Sequence, residues 1–324
     1  MEAPKDLSAA EPDSIYQMIG QTTVRNQVIT AVDACQQDDR LFESPTLMVG
    51  PGGCGKSQTA KCIASMICAS HFQTVLAQSL RTPQDLAACL LEQPAGGVLF
   101  LDEAAGLSDA VQLALYLAID SRKVFVKRSG RSPLALDIAP HVLLLATTHE
   151  FTLNDSMRQR CRMVLRFSHY TTNELELIAK QRATALGWNV DDEVFQAAGV
   201  RGRGTPRLVL RLLNASQRTA RSEGSNTITL DHFRKTCVLE AVDAKGLDVN
   251  EQQYLKILLE SAAPLRVNVI ASKMGLPRKT VADVIEGDFL LRSGLIEKDE
   301  VSRRVLTEEG RNHATLLARG EGYE

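Results

Sequence analysis

Short apolar runs alternate with stretches of helical spacing in the first half of the chain. The runs lie at 46–49, 98–101 and 142–146. Before and between them, apolar residues recur every three or four positions, as at Val24, Val28 and Val32. Strands that are apolar on both faces and separated by helices are typical of a parallel sheet covered on both sides. We therefore predict an α/β domain over residues 14–170.

The pattern changes after this domain. Residues 171–244 have helical spacing almost throughout, which predicts a small helical domain. Residues 245–318 mix short helical stretches with a terminal pair of strand-like runs, and predict a third domain. Residues 1–13 are polar and contain prolines, so we expect them to be disordered, and residues 319–324 form a tail.

Composition narrows the class of protein. With 44% hydrophobic residues and a net charge of −2, the chain has no apolar stretch of membrane-spanning length and no secretion signal, so we expect a cytoplasmic protein without a membrane partner. Its seven cysteines show no C-x-x-C spacing and indicate reduced thiols. Its six histidines show no H-x-x-x-H pair, which argues against a transition-metal enzyme. Any DNA contact must come from local basic patches, or from a ring that concentrates them.

Residues 50–57 form a complete G-x-x-x-x-G-K-[ST] phosphate-binding loop between an apolar run and a helical stretch. Glycines allow the backbone N–H groups to point at phosphate oxygens, Lys56 is expected to reach the β- and γ-phosphates, and Ser57 to ligate Mg²⁺. The alternative is a glycine-rich turn, which the flanking elements disfavour. The predicted nucleotide-binding positions here are Gly50, Gly52, Gly53, Cys54, Gly55, Lys56, Ser57 and Gln58.

Polar residues end the next two apolar runs. Asp102 is expected to hold Mg²⁺, directly or through water, and Glu103 to polarise the attacking water. Alone, such a pair is equally the start of a solvated helix. Thr147 or Thr148 is placed to orient water between Glu103 and the γ-phosphate, although strand-end threonines are commonly structural.

Two basic runs follow. Residues 158–162, Arg-Gln-Arg-Cys-Arg, are in isolation a solvated helix end. Residues 201–207 start a helix, with Pro206 favourable in its first turn. Arg207 lies at the end of the helix dipole that disfavours a positive charge, which hints at an anionic ligand. The alternative is a plain basic turn.

Seven motifs succeed one another along the chain: IGQ, GPGGCGKS, VLFLDEAAGL, LLLATTHEF, SMRQRCRMV, HYTTNEL and RGRGTPRLVLRLL. In this order they resemble the AAA+ ATPases, and specifically the RuvB family of Holliday-junction branch-migration motors. GLD at 246–248, ADVIE at 282–286 and SGLI at 293–296 resemble the winged helix of that family. The resemblance implies an AAA+ phosphate-loop domain with a hairpin near 122–137, a helical lid and a C-terminal winged-helix domain.

The resemblance also implies roles for residues around ATP or ADP and Mg²⁺. Ile19, Gly20 and Tyr170 match the residues beside the adenine. Thr147 or Thr148 matches the sensor 1 position, and we take Thr147 as the catalytic candidate.

Further matches lie in the basic runs. Arg207, preceded by Pro206, matches sensor 2. Arg160 matches the arginine finger, which acts on the ATP of the neighbouring subunit. A finger supplied in trans ties hydrolysis to assembly, and the family forms hexamers.

The hairpin matches the site where the family binds a RuvA-type protein, with Val124, Phe125 and Val126 as the expected contacts. The alternative is a solvated loop with Val124 and Val126 packed inward. This hairpin is also unusually basic, with Arg122, Lys123, Lys127, Arg128 and Arg131.

The wing tip departs from the family pattern. Arg303 and Arg304 are expected to contact phosphates of duplex DNA or a four-way junction, whereas Asp299 and Glu300 repel them. An ATP-driven DNA motor is the function that these matches favour. The acidic wing leaves open an AAA+ assembly or regulatory switch without DNA motor activity.

Overall fold

The structure is a computed structural model that describes residues 10–128, 131–261 and 263–323. Within these ranges the chain forms two compact units, residues 10–170 and residues 171–323. Among the helices of these ranges, none combines the length and the apolar character that a bilayer crossing requires.

A parallel sheet forms the centre of the first unit. The strands of this unit, numbered in chain order, are β1 (Thr46–Val49), β2 (Phe72–Leu76), β3 (Val98–Asp102), β4 (Lys123–Arg128), β5 (Arg131–Asp137), β6 (Val142–Thr147) and β7 (Met163–Arg166). Five of them pair in the order β2–β3–β6–β1–β7, with all neighbours parallel. Strands β1, β3 and β6 lie side by side and end at the same edge, with Val49 opposite Thr147 and Leu101 opposite Leu145. The predicted parallel α/β fold is confirmed.

Helices pack against this sheet. They are α1 (Thr22–Gln37), α2 (Lys56–Met66), α3 (Pro83–Leu91), α4 (Asp109–Ser121) and α5 (Asp155–Arg158). Leu86 of α3 and Leu115 of α4 join Leu101 and Leu145 of the sheet in one buried cluster. The apolar run of β6 is buried along its whole length, because strands cover both its edges and helices its faces.

The start of the described chain packs on α2. Glu11 forms an ion pair with Lys61 (2.6 Å), and the Gln58 side chain donates to the Pro12 carbonyl (2.7 Å). Residues 1–9 of the segment predicted to be disordered lie outside the described residues. For Glu11 and Pro12 that prediction is wrong, since both make defined contacts.

The second unit begins with four helices. They are α6 (Thr172–Leu186), α7 (Asp192–Arg201), α8 (Pro206–Ser222) and α9 (Leu230–Leu239), with the short parallel strands β8 (Asn189–Val190) and β9 (Thr227–Ile228). Helices α6 and α9 start with capping boxes, at Thr171 and Thr229.

A winged-helix arrangement follows in the same unit. Its elements are α10 (Val249–Leu259), α11 (Val267–Met274), α12 (Arg278–Thr280) continued by a π-helix (Val281–Leu290), β10 (Ile296–Lys298), β11 (Arg304–Leu306) and α13 (Glu308–Arg319). Strands β10 and β11 form the antiparallel wing, and Tyr254, Ile270 and Leu295 lie in the core.

A buried ion pair joins the four-helix part to the winged helix. Both Nη atoms of Arg203 bond to the Glu251 carboxylate, at 2.7 and 2.5 Å. Burial raises the pKa of Glu251 to about 7, even though Arg203 opposes the shift. Because Arg203 directly precedes the Gly204–Arg207 motif, that motif is anchored to the winged-helix domain.

Candidate functional site

The predicted phosphate-binding loop connects β1 to α2. Gly50 has a φ of 152°, and a Cβ there would lie 2.5 Å from the Phe167 carbonyl oxygen, so only glycine fits. Gly55, with a φ of 94°, is the N-cap of α2. The Lys56 ammonium group lies inside the loop, where it donates to the carbonyls of Gly50 (2.6 Å) and Pro51 (2.8 Å). The loop therefore places a cation and the N-terminus of a helix at one point.

The other predicted loop positions are not equivalent. A Cβ on Gly52 would meet no atom within 4 Å, whereas the Cys54 side chain is fully buried. Gly53 has a φ of 76°, in the region that favours glycine. Gln58 directs its amide at the Pro12 carbonyl (2.7 Å), so the N-terminal segment engages it.

Ser57 and Asp102 face each other across the loop. The Ser57 hydroxyl lies 3.4 Å from Asp102 Oδ2, and the other carboxylate oxygen accepts the Glu103 N–H at 3.0 Å. Mg²⁺ prefers oxygen ligands and is usually held by few protein groups together with water and phosphate. A hydroxyl and a carboxylate at this separation fit that requirement. Within the described ranges no cluster of three His, Cys, Asp or Glu side chains suits a metal bound by protein alone.

Thr148 holds Glu103. Since an ionised carboxylate only accepts hydrogen bonds, the Thr148 hydroxyl donates to Glu103 Oε1, at 3.1 Å. The same hydroxyl lies 2.8 Å from His149 Nδ1. Because its single proton points to Glu103, the hydroxyl can only accept a hydrogen bond from His149. This arrangement requires the His149 tautomer that carries a proton on Nδ1, and in it the three groups form a directed chain.

Thr147 has a different role from the predicted one. Its side chain is fully buried, and its hydroxyl accepts the backbone N–H of His149 at 3.0 Å. Thr148, not Thr147, is the threonine that contacts Glu103. The sequence left both open because a one-residue shift along a strand reverses the side chain. We call the sheet edge that carries Lys56, Ser57, Asp102, Glu103 and Thr148 the nucleotide edge.

The predicted adenine-binding residues approach the other side of the loop. The Tyr170 hydroxyl donates to the Cys54 carbonyl at 3.4 Å. The segment of Ile19 and Gly20 is tied to the chain just before Tyr170, because the Gln21 side chain bonds to both backbone groups of Ser168 (2.7 and 3.2 Å). Met18 also packs here: a Cβ on Gly55 would lie 3.5 Å from its methyl group. The sequence motifs did not identify Met18, because the only indication of its role is its position beside Ile19.

Arg160 follows α5 and contacts α4. Its Nε donates to both carboxylate oxygens of Asp120 at 2.9 Å, and its Nη1 to the Ser156 carbonyl at 2.8 Å. Its guanidinium carbon lies 3.8 Å from the centre of the Tyr116 ring. Neither Tyr116 nor Asp120 is identifiable from the sequence, because about 40 residues separate them from Arg160 and only their i, i+4 spacing marks a shared helix face.

The predicted sensor 2 residues lie in the second unit. Pro206 opens α8 after the N-cap Thr205, as predicted for a first turn. Arg207 follows it and is exposed. Its role towards a nucleotide stays a prediction.

The wing arginines are both engaged within the protein. Arg303 is partly exposed, and its Nε donates to Asp299 Oδ2 at 2.7 Å. Arg304 is 8% exposed and forms two bonds to the Glu286 carboxylate, at 2.9 and 2.8 Å. Tyr254 donates to the same carboxylate at 2.8 Å. A buried guanidinium that is paired with a buried carboxylate does not fit the prediction that Arg304 contacts phosphate, and we correct that assignment.

The three hairpin residues predicted to contact a partner differ in their exposure. Val124 is 5% exposed and belongs to the core beneath the sheet, whereas Phe125 is 51% exposed. Val126 is half-buried. Phe125 is thus the accessible apolar group, and Val124 follows the inward-packed alternative. The hairpin tip at 129–130 lies outside the described residues.

Three family models match consecutive parts of the chain. The Holliday junction DNA helicase RuvB P-loop domain matches residues 10–167, the RuvB AAA lid domain residues 170–243, and the RuvB C-terminal winged helix domain residues 244–315.

Individual relatives match over nearly the whole length. The Holliday junction branch migration complex subunit RuvB of Kosmotoga olearia is 30% identical over 312 residues, 93% of this chain and 90% of the relative. That of Staphylococcus haemolyticus is 31% identical over 301 residues, 90% and 89% of the two chains. The solved Thermotoga maritima RuvB Holliday junction branch migration motor superposes with a TM-score of 0.80 at 29% identity, covering 94% of this chain and 98% of that one. Sequence and fold agree across all three domains, and the chain belongs to the RuvB family.

Proposed function

We propose that this chain binds ATP with Mg²⁺ and hydrolyses it to drive duplex DNA through a ring of identical subunits, as branch migration of a Holliday junction requires. One observation carries the proposal: a phosphate-binding loop, a Ser57–Asp102 pair and a Thr148–Glu103 pair meet at the nucleotide edge of a RuvB-family chain. Its relatives are named for branch migration. Free cysteines fit a reducing cytoplasm.

At the nucleotide edge, each group has a distinct task. Lys56 and the N-terminus of α2 bind the phosphates, and Ser57 and Asp102 hold Mg²⁺. When bound by these two residues, Mg²⁺ would supply positive charge that stabilises the negative charge of the phosphates during hydrolysis. Glu103 accepts a proton from the attacking water, and Thr148 fixes the carboxylate that does so.

The remaining nucleotide contacts follow the family pattern. Ile19, Gly20 and Tyr170 flank the adenine, and Arg207, preceded by Pro206, acts from the lid as sensor 2. Arg160 reaches the ATP of the next subunit, so each active site is completed only in the ring, for which we propose a hexamer. An arginine finger contributes about 10³–10⁵ in rate in other nucleotide hydrolases.

We propose that the winged helix contacts DNA mainly through Lys273, Arg278 and Lys279, which we call the basic turn. These residues lie where α11 gives way to α12, and all are exposed. Within the described part of the chain no carboxylate pairs with any of them. Arg303 adds a weaker contact because Asp299 already neutralises it. Phosphate contacts of this kind supply sequence-independent affinity.

Phe125 is the proposed anchor for a RuvA-type partner on the hairpin, since an exposed aromatic ring on a strand is a common anchor in interfaces.

The wing itself favours a second candidate function. Asp299 and Glu300 are acidic where the family is basic, and Arg304 is buried. An AAA+ switch that binds protein rather than DNA fits these charges.

Displacement of strands from a synthetic four-way junction, with and without a RuvA-type protein, tests the proposal. We expect ATP-dependent displacement and DNA-stimulated hydrolysis, both lost in Lys56→Ala. Hydrolysis that is indifferent to DNA, without displacement under either condition, would refute the motor and support the switch.

The arrangement in trans has its own test. Arg160→Ala and Glu103→Gln subunits are each expected to be inactive, but a mixture should recover hydrolysis, because an intact finger then meets an intact Glu103. Continued hydrolysis by Arg160→Ala alone would refute the assignment of the finger.

A further inference from the structure

Arg160 is held unusually firmly for a side chain at the protein surface. Its Nε bonds to both Asp120 oxygens (2.9 Å), its Nη2 lies 2.8 Å from Asp120 Oδ2, and its Nη1 donates to the Ser156 carbonyl (2.8 Å). The Tyr116 ring lies against the face of the guanidinium, 3.8 Å from ring centre to Cζ. The plane and the direction of the group are therefore both fixed.

These contacts do not use all the N–H donors of the guanidinium. Arginine has five N–H groups. Asp120 engages the N–H of Nε and one N–H of Nη2, and Ser156 engages one N–H of Nη1, so Nη1 and Nη2 each keep one N–H that can bind an oxygen of a phosphoryl group. The side chain of Arg160 is 27% exposed, so part of it is accessible from outside the subunit.

The supporting residues stand on a rigid element. Tyr116 and Asp120 lie four residues apart on one face of α4, whose other face is buried through Leu115 and Ala118. A functional group is positioned more accurately by a packed helix than by a loop. Arg160 itself lies just beyond α5, a helix of only four residues.

We propose that Asp120 and Tyr116 are positioning residues that present Arg160 to the phosphoryl group bound by the neighbouring subunit. The proposal rests on the trans role of Arg160 in the proposed function. Asp120 fixes the direction of the guanidinium by contacting Nε and Nη2, and Tyr116 fixes the plane of the guanidinium. The same contacts would otherwise have to form during docking, at an entropic cost to every catalytic encounter.

Asp120→Ala tests the first half of the proposal. We expect kcat for ATP to fall about 10- to 100-fold, because misplacement by about 1 Å costs up to ~10² in rate, while KM changes less than about twofold. Asp120→Glu should recover part of the rate. The matched control is Asp155→Ala, which removes an acid paired with Arg158 on α5 and should leave kcat unchanged. An unchanged or higher kcat in Asp120→Ala would overturn the proposal.

Mixed rings separate positioning from a general structural effect. Asp120→Ala subunits contain an intact nucleotide edge, and Glu103→Gln subunits contain an intact, supported finger. Their mixture should therefore hydrolyse ATP faster than either variant alone. Absence of recovery would show that Asp120 acts within its own subunit and would overturn the proposal. If Arg160→Ala itself stays active, the proposed function fails instead, so the two failures are distinct.

Tyr116 is tested by paired substitutions. Tyr116→Phe keeps the ring under the guanidinium and should retain kcat, whereas Tyr116→Ala should lower it with little change in KM. Equal rates for the two variants would remove Tyr116 from the proposal.

Discussion

The nucleotide edge and the wing both carry charged motif residues at the ends of strands, but the fold treats them differently. At the nucleotide edge, Asp102 and Glu103 contact hydroxyl and backbone groups, and no cation among the described residues pairs with them. At the wing, Arg303 bonds to Asp299, and Arg304 bonds to Glu286. A charged residue is available to a ligand where the protein leaves it without a counter-charge of its own.

Burial explains the difference. The side chains of Arg304 and Glu286 are 9% and 1% exposed, and charges taken that far from water must be paired and hydrogen-bonded. Asp102 and Glu103 are only half-buried at the carboxyl end of β3, so part of each side chain stays exposed to solvent. The two regions therefore predict opposite results when a charge is removed: lost chemistry at the first and lost stability at the second.

The largest effect is expected at the nucleotide edge. Glu103→Gln keeps the size of the side chain but removes its basicity, and we expect hydrolysis to fall about 10²–10⁴-fold. Nucleotide affinity and the midpoint of thermal unfolding should change little. Phosphate release, binding of a fluorescent ATP analogue and a thermal melt measure the three quantities. Glu92→Gln, at the exposed C-cap of α3, is the control. A large loss of stability in Glu103→Gln would place Glu103 in the same class as Glu286 and remove the contrast.

The wing gives the second prediction. Breaking a buried ion pair costs about 3–5 kcal/mol, so Arg304→Ala and Glu286→Ala should each lower the free energy of unfolding of the winged-helix domain by that amount. Arg303→Ala removes a partly exposed pair and should cost less than about 1 kcal/mol. Urea unfolding of the full chain checks the values, provided that the transition of the winged-helix domain is the one monitored. If Arg304→Ala folds normally and binds duplex DNA more weakly, the internal role assigned to Arg304 is wrong.

The sequence allowed more to be predicted at one region than at the other, for physical reasons. Motif spacing places Lys56, Ser57 and Asp102 together because parallel strands end at one edge, and the fold class and the RuvB family are confirmed. The choice between Thr147 and Thr148 needed the register of β6.

Contacts formed only by the tertiary structure were beyond sequence reasoning. The support of Arg160 by Asp120 spans about 40 residues, and the burial of Arg304 depends on Glu286 in a different element. The resemblance to the family's wing indicated a phosphate contact through Arg304, because a sequence match does not report which charges the core neutralises.

The third prediction asks whether the cations of the basic turn contact DNA. Alanine at all three positions of the basic turn should reduce the slope of log K against log salt for duplex binding by about 2.7 per contacting subunit, because each phosphate contact contributes about 0.9. Arg303→Ala should reduce it by less than about 0.9. Anisotropy titrations at several salt concentrations measure the slopes, and hydrolysis without DNA should match the unsubstituted chain. If the triple variant keeps its slope while Arg303→Ala loses one contact, DNA binds at the wing and the comparison fails.

The smallest effect concerns His149, an exposed residue that touches the nucleotide edge through one hydrogen bond. In the Nδ1–H tautomer it donates to Thr148, which leaves the threonine proton to hold Glu103. Because the chain ends in solvent, we expect His149→Phe to lower kcat only about two- to fivefold, less than one full hydrogen bond is worth. Asparagine places an N–H near the position of Nδ1 and should restore the rate, whereas glutamine places it near Nε2 and should not. Steady-state ATP hydrolysis by the three variants measures these differences. Equal rates for asparagine and phenylalanine would mean that Thr148 holds Glu103 unaided, and the directed chain would end at the threonine.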